Sequence, residues 1–155
     1  MTCTGDAALG ALNRAPAGLV ASAIDMGPYV LARSHHSVLA APYHRLGESM
    51  LAISRIFAVP PEKARGEIAR WKVDYVLFCK DLVPPLTLDG GKPPADALWF
   101  QLSKGAVPAW LEPVDLGKDN PLRLYRVRLD KAAATSAKKH GRRAEATPPL
   151  RRSVQ

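Results

Sequence analysis

The segment VDYVLFC at residues 73–79 decides the fold class, because it is the most apolar stretch of the chain. It has the length of a β-strand and is rich in β-branched and aromatic residues. A helix that crosses a bilayer needs about 18–20 consecutive apolar residues, and no run in the sequence approaches that length. We therefore expect residues 73–79 to form a central strand of a sheet, and we expect no membrane span.

Apolar periodicity on both sides of this segment predicts alternating strands and helices. We expect strands at 19–24, 37–41, 111–116 and 122–129 and helices at 6–14, 46–57, 60–71 and 95–104. Residues 29–33 are ambiguous between a helical turn and an irregular segment. The connection GKDNP at residues 117–121 is typical of a hairpin turn, so the last two strands should be antiparallel. The sequence thus predicts a small α/β sandwich of two or three layers, with a mixed sheet of about five strands and helices packed on it.

Charge divides the chain into a near-neutral body and a basic tail. Residues 1–130 hold 15 Lys and Arg against 13 Asp and Glu, whereas residues 131–155 hold seven against one. The tail has few large aliphatic side chains, so it cannot bury enough apolar area to offset the entropy of ordering. We expect one α/β domain at 1–130 and a disordered tail at 131–155. The tail is either a solvated extension or a contact for anionic lipid headgroups, and nucleic-acid binding is not expected because no aromatic residue is interleaved with its cations.

The two cysteines, Cys3 and Cys79, have no spacing typical of a metal site or a redox motif. In a reducing compartment they would be two thiols. In an oxidising compartment they could form a bridge between the N-terminus and the central strand, worth about 4 kcal/mol from loop entropy. The sequence alone leaves this choice open.

Three of the four histidines fall within residues 34–45. The adjacent rings of His35 and His36 point to opposite sides of an extended chain, so at most one of them could join His44 around a metal ion. No cysteine or acidic residue stands among them. We therefore expect no metal and no cofactor.

Within this stretch, Tyr43, His44 and Arg45 follow an expected strand and precede an expected helix, where α/β folds often place ligand contacts. An aromatic ring, an imidazole and a guanidinium would suit a phosphate, a carboxylate or a sugar. Asp25, at the end of the first expected strand, could orient His44 or pair with Arg45. The alternative is structural, with Tyr43 packed on the core and the other two residues starting a helix.

The sequence has no glycine-rich phosphate loop and no nucleophile elbow. A small hydrolase that uses Asp25, Ser37 and His44 is a further hypothesis. Catalysis by this chain alone is nevertheless not expected, because no complete catalytic set is recognisable.

Four motifs occur in an order that resembles a known class of domain: IDMGP at 24–28, HSVLAAPYHR at 36–45, the segment at 73–79 and GAVPAWL at 105–111. Together they resemble the C-terminal soluble domain of large bacterial multi-spanning membrane proteins that look like glycosyltransferases using lipid-linked sugars. The resemblance covers roughly residues 3–129.

This resemblance implies a domain on the periplasmic face of the inner membrane, next to a transmembrane portion whose extracytoplasmic loop holds the catalytic acid. No catalytic residue carries over to this chain. An accessory ligand-contacting surface does carry over, around five residues that lie within the matched motifs: Asp25, His36, Tyr43, His44 and Arg45. Periplasmic placement would also favour a Cys3–Cys79 bridge.

Two functions are therefore expected from different classes of protein. The first is a non-catalytic domain of a membrane glycosyltransferase-like protein, with a transmembrane partner. The second is a stand-alone cytoplasmic α/β module that binds a small anionic ligand, because the chain taken alone has neither an apolar run of bilayer length nor a signal-peptide pattern.

Overall fold

The predicted central strand is β3 (Tyr75–Phe78), in the middle of a five-stranded sheet. The computed structural model describes residues 1–40 and 47–130. The other strands are β1 (Leu19–Ala21), β2 (Ser37–Val38), β4 (Leu111–Val114) and β5 (Arg123–Val127). Their order is β2-β1-β3-β5-β4, with β2, β1 and β3 parallel and both β5 and β4 joined by antiparallel pairs. The mixed sheet and the terminal antiparallel hairpin confirm the predicted fold class.

Strand β3 is apolar on both of its faces because both faces of the sheet are covered. Val76 and Phe78 belong to one buried cluster, whereas Tyr75 and Leu77 belong to a second cluster on the other side. A strand enclosed in this way has no solvent-facing positions, which explains why residues 75–79 show no polar alternation.

Helices cover the two faces in separate groups. The first cluster contains buried residues of α3 (Gly47–Phe57), α4 (Pro61–Trp71) and α5 (Leu98–Ser103). The second contains residues of α1 (Asp6–Gly10), of the 3₁₀ segment that continues it to Arg14, and of α2 (Gly27–Arg33). The domain is therefore a three-layer arrangement with the sheet in the middle.

Several boundaries differ from those expected. The first strand ends at Ala21 rather than at residue 24, because Ile24–Met26 forms a 3₁₀ turn that leads into α2. The other strands are likewise shorter, and the helix expected at 95–104 spans Leu98–Ser103. Ser49 of α3 is buried among the apolar residues of that helix, although it is polar.

The predicted tail at 131–155 and the segment at 41–46 lie outside the described residues. The proposed domain boundary near residue 130 therefore stays a prediction. Among the helices that are described, none has the length and apolar character needed to cross a bilayer.

Candidate functional site

His36 is buried, with 3% of its surface exposed, and both ring nitrogens have backbone partners. The backbone N–H of Gly18 donates to Nδ1 over 3.2 Å. The Gly18 amide can only donate, so Nδ1 accepts and Nε2 carries the proton, which it donates to the carbonyl of Leu12 over 2.7 Å. Both ring nitrogens of His36 are therefore hydrogen-bonded within the fold, and neither is free to bind a ligand in this arrangement.

The neighbours of His36 also make hydrogen bonds to backbone carbonyls. Its ring meets that of Tyr75 edge-on at 5.2 Å, and the Tyr75 hydroxyl donates to the carbonyl of Pro16 over 2.6 Å. Nε2 of His35 lies 2.8 Å from the carbonyl of Ala15. These contacts fasten the chain before β1 to the amino ends of β1, β2 and β3. A buried polar group with backbone partners stabilises a connection that has no helix or strand of its own.

Asp25 lies at the opposite end of the parallel strands from His36. It is exposed, in the 3₁₀ turn that follows the carboxyl end of β1, whereas His36 precedes the amino end of β2. The structure therefore does not bring these two predicted site residues together.

The remaining predicted ligand contacts, Tyr43, His44 and Arg45, lie outside the described residues. The described residue before them, Ala40, follows the carboxyl end of β2, which is the edge where Asp25 lies. A ligand-contacting group formed by Asp25 with residues 43–45 stays a prediction, as does the hydrolase hypothesis that needs His44.

Cys3 and Cys79 are joined by a disulfide, with 2.02 Å between their sulfurs and 6.4 Å between their Cα atoms. Both residues are buried. The bond attaches the chain before α1 to the residue that follows β3, at the carboxyl edge of the sheet. A carboxylate oxygen of Asp81 lies within 4.8 Å of both sulfurs, but bonded sulfurs are not thiolate ligands, so this group is not a metal site in the oxidised protein.

An open cleft of about 780 Å³ lies beside the β4–β5 hairpin. We call it the hairpin cleft. Three cationic side chains from separate elements line it: Arg14 at the end of the first 3₁₀ segment, Lys118 in the hairpin loop and Arg123 at the start of β5. Asp115 is the acidic residue among its lining. The cleft therefore combines several positive groups with a single negative one.

The loop that forms one wall of the hairpin cleft is held by side-chain hydrogen bonds. The Asp115 carboxylate accepts from the backbone N–H of Gly117 over 2.8 Å, and the Asn120 side chain accepts from that of Leu122 over 2.9 Å. The same Asn120 amide donates to the carbonyl of Ala8 over 3.1 Å, which ties the loop to α1. Gly117 has a φ of 96°, in the left-handed region that glycine adopts without strain. The wall is thus fixed before any ligand arrives.

Tyr125 lines the inner part of the hairpin cleft, and its side chain is buried. Burial raises the pKa of its hydroxyl above the ordinary value, and the neighbouring Arg123 guanidinium partly offsets this rise by charge and by a hydrogen bond. The hydroxyl stays protonated at neutral pH, so it can donate a hydrogen bond beside a permanent cation.

The long connection between β3 and α5 exposes three large apolar side chains, Val83, Leu86 and Leu88, with 81%, 52% and 56% of their surfaces accessible. Its tip is a turn in which the Thr87 hydroxyl bonds the Asp89 carboxylate. That hydrogen bond, followed by one from the Gly91 amide, lowers the pKa of Asp89 below the ordinary value. The loop therefore has a defined tip and an apolar surface.

The sequence did not predict the cationic residues of the hairpin cleft. Arg14 and Arg123 lie far apart in the chain, and neither stands in a motif. The usable signal was weaker: Lys118 lies in the hairpin turn and Arg123 in the last strand, both of which the sequence did predict. Nothing in the sequence could bring Arg14 to the same place.

Comparison with known proteins finds no matching family model and no curated protein of similar sequence. Comparison with solved structures finds the C-terminal globular domain of an oligosaccharyltransferase from Archaeoglobus fulgidus. The TM-score is 0.58 at 15% sequence identity, and the alignment covers 82% of this chain and 98% of that domain. An identity this low shows the fold alone, and the alignment includes nearly the whole archaeal domain. The chain therefore has the fold of that C-terminal globular domain.

Proposed function

We propose that this chain is a non-catalytic extracytoplasmic domain of a membrane glycosyltransferase-like protein, and that it contributes to substrate contact or docking next to a transmembrane portion. The observation that carries the proposal is the fold likeness to the oligosaccharyltransferase domain over 98% of that domain's length. It agrees with the resemblance of the motifs at 24–28, 36–45, 73–79 and 105–111 to domains of this kind.

The disulfide supports an oxidising compartment. Disulfides persist in the periplasm and outside cells, whereas cytoplasmic thiols are kept reduced. Cys3 and Cys79 are buried and bonded to each other, so their pairing is part of how the chain before α1 is attached to the sheet.

The histidines of the described region support a non-catalytic role. His36 is occupied by Gly18 and Leu12, and His35 by the carbonyl of Ala15. A general base needs a ring nitrogen within reach of substrate. Buried His36 does not meet this requirement, because both of its ring nitrogens are bonded to backbone groups.

For substrate contact we propose the carboxyl edge of the parallel strands, with Asp25, Tyr43, His44 and Arg45 as the contacting residues. His36, at the opposite edge, is omitted from this surface. The exposed side chains of Val83, Leu86 and Leu88 follow β3 in the chain and offer an apolar area for docking against the transmembrane portion.

The test is an in-frame chromosomal deletion of codons 1–130. We expect membranes from the deletion strain to lose most transfer of radiolabelled sugar from a polyprenyl-phosphate donor into the lipid-free fraction. A matched strain that lacks only codons 131–155 should retain most of the transfer. Unchanged transfer in the first strain would contradict the proposal.

A test of the compartment is independent of sugar transfer. Cells are treated with acid to freeze thiol exchange, and the denatured protein is then alkylated with a maleimide. We expect neither Cys3 nor Cys79 to be labelled before reduction, and both to be labelled after it. Full labelling without reduction would place the chain in a reducing compartment and would favour the stand-alone cytoplasmic module.

A further inference from the structure

We propose that the hairpin cleft binds the phosphoryl group of a phosphate ester, with Arg14, Lys118 and Arg123 as the anion-contacting residues. Its residues differ from Tyr43, His44 and Arg45, which the sequence suggested as ligand contacts. It also goes beyond the proposed function, because a phosphate site can exist whether or not the domain serves a glycosyltransferase.

The arginines of the described residues divide into two groups. Six of them form ion pairs with carboxylates at 3.0–3.9 Å: Arg33, Arg55, Arg65, Arg70, Arg126 and Arg128. Within residues 1–40 and 47–130, Arg14 and Arg123 are the arginines without such a pair, and both line the hairpin cleft. Both described arginines without a carboxylate partner thus line the same cleft.

The local contacts of these two arginines leave donors available. Arg14 reaches the carbonyl of Asp115 through one terminal nitrogen, at a long 3.5 Å, and Arg123 interacts with the Tyr125 hydroxyl. A guanidinium has five N–H donors, so several of them remain for an anion. Arginine forks match the oxygen geometry of phosphate, and lysine adds a point charge.

The wall of the hairpin cleft is also ordered by its own hydrogen bonds. Its loop is fixed by the hydrogen bonds of Asp115 and Asn120, so little backbone entropy is lost when a ligand enters. Its volume of about 780 Å³ lies within the usual range for small-molecule pockets, which is about 300–1,000 Å³.

The rest of the lining indicates what the phosphoryl group is attached to. Apolar side chains, among them Val107, Pro113 and Leu116, line the cleft together with the cations. A bare inorganic anion would leave this surface unused. A phosphate ester with a sugar or lipid body could cover it, and the phosphoryl group is common to both sources.

The edge strand that borders the cleft is not a site for adding another strand. The carbonyl of Trp110 accepts a hydrogen bond from the backbone N–H of Arg128. In an antiparallel pair, alternate residues of a strand bond to the neighbouring strand. The backbone groups of Leu111 and Pro113 therefore point away from β5, toward the outer side of β4. The Leu111 N–H is already bonded to the carbonyl of Pro108, and proline has no N–H. A peptide strand would find no donor there, which favours a small ligand over a peptide.

The experiment is a titration of the full, disulfide-bonded, ¹⁵N-labelled chain with inorganic pyrophosphate, followed by amide chemical shifts. We expect saturable shifts at Gly117, Asn120 and Arg123, because these amides lie in or next to the loop that carries the cations. A second arm uses phosphatidylcholine vesicles with and without phosphatidic acid to separate a lipid source from a soluble one.

The basic tail could also attract anions, so the variants are matched in charge. Arg14→Gln/Arg123→Gln and Arg142→Gln/Arg143→Gln each remove two positive charges, the first pair from the cleft and the second from the tail. We expect the cleft pair to weaken pyrophosphate binding about tenfold or more and the tail pair to weaken it about twofold or less. Lys118→Gln, at an exposed loop position, should weaken it about threefold without affecting the fold.

Cleft-dependent binding of pyrophosphate alone would support a soluble phosphate ester, and cleft-dependent binding of phosphatidic acid vesicles would support a lipid-linked one. Equal losses for the cleft and tail pairs with both probes would overturn the proposal. So would shifts that spare residues 115–123, or the absence of any binding by the natural chain.

Discussion

The amino-terminal segment, residues 3–18, and the β4–β5 hairpin contact each other on one face of the sheet. Polar side chains that hold the segment have hydrogen-bond partners in the fold, whereas two cationic side chains of the hairpin have no carboxylate partner in the described part of the chain. The segment is attached at both ends, by the Cys3–Cys79 bond and by His36, and the ring nitrogens of His36 have backbone partners. The hairpin leaves Arg123 and Lys118 facing a cleft without a carboxylate partner among the described residues. Arg14 belongs to the first region by sequence and to the second through its side chain.

This difference separates structural polar residues from candidate functional ones. A buried group whose hydrogen bonds are all made to backbone contributes to the fold, and removing it leaves its partners unsatisfied. A cation that faces an open cleft without an acidic partner contributes little to stability. Variants in the first region should therefore change the free energy of unfolding, and variants in the second should change ligand binding.

The largest effect is expected from removing the disulfide. Cys3→Ala/Cys79→Ala opens a loop with a sequence separation of 76 residues, and the entropy of that loop corresponds to about 4 kcal/mol of stability. Urea denaturation of the variant and the natural chain measures the difference. A loss below about 1 kcal/mol would mean that the amino-terminal segment is held by packing alone.

The next effect is expected at His36. His36→Ala leaves the Leu12 carbonyl and the Gly18 N–H without their partners and removes a ring packed on Tyr75, which should cost about 3 kcal/mol. The matched control is His35→Ala, whose exposed ring makes one hydrogen bond to Ala15, so its cost should be about 1 kcal/mol or less. Equal costs for the two variants would contradict the structural role of His36.

Two glycine-to-alanine substitutions should change stability in opposite directions. A Cβ at Gly18 would lie 2.8 Å from a ring carbon of Tyr75 and 2.9 Å from the Cβ of Asp74, so Gly18→Ala should destabilise the protein by about 1–3 kcal/mol. Gly66 lies in α4 with nothing within 4 Å of an added Cβ. Gly66→Ala should therefore stabilise by up to about 1 kcal/mol, because it lowers the entropy of the unfolded chain. Thermal unfolding of the two variants should move the midpoint in opposite directions.

The hairpin cleft should respond least in stability. Arg14→Gln/Arg123→Gln should change the free energy of unfolding by less than about 0.5 kcal/mol, since neither arginine pairs with a described carboxylate. The same pair should lose pyrophosphate binding. A large loss of stability in urea would assign these arginines to the fold.

The smallest effect concerns pH at the loop tip. Hydrogen bonds from Thr87 and Gly91 lower the pKa of Asp89, so its contribution to stability is present above the unfolded pKa and is lost as pH falls through the folded one. Asp89→Asn should abolish this acid transition in the Gly91 amide shift. An unchanged transition in the variant would show that another group causes it.

The fold was predictable because its strongest signals are local. The apolar segment at 73–79 depends on both faces of a strand being covered, and the structure covers both faces of β3. Strand ends were less predictable. Ile24 is apolar enough for a strand, but the backbone turns there into the 3₁₀ segment that starts α2.

The candidate site was less predictable because it depends on contacts between distant residues. Clustered histidines suggested a ligand site, but the partners of His36 are backbone groups of Leu12 and Gly18, which have no side-chain signature. The cleft cations come from a 3₁₀ segment, a turn and a strand that only the completed sheet brings together. Pairing among the other arginines, which singles out Arg14 and Arg123, is likewise visible only in the structure.

The most direct test of the proposed role uses membranes from the strain that lacks residues 1–130, a labelled polyprenyl-phosphate sugar and the purified chain. The purified chain without membranes should transfer no sugar, and its addition to the deficient membranes should restore most of the lost transfer. Sugar transfer by the purified chain without membranes would contradict the account, because the chemistry would then belong to this domain.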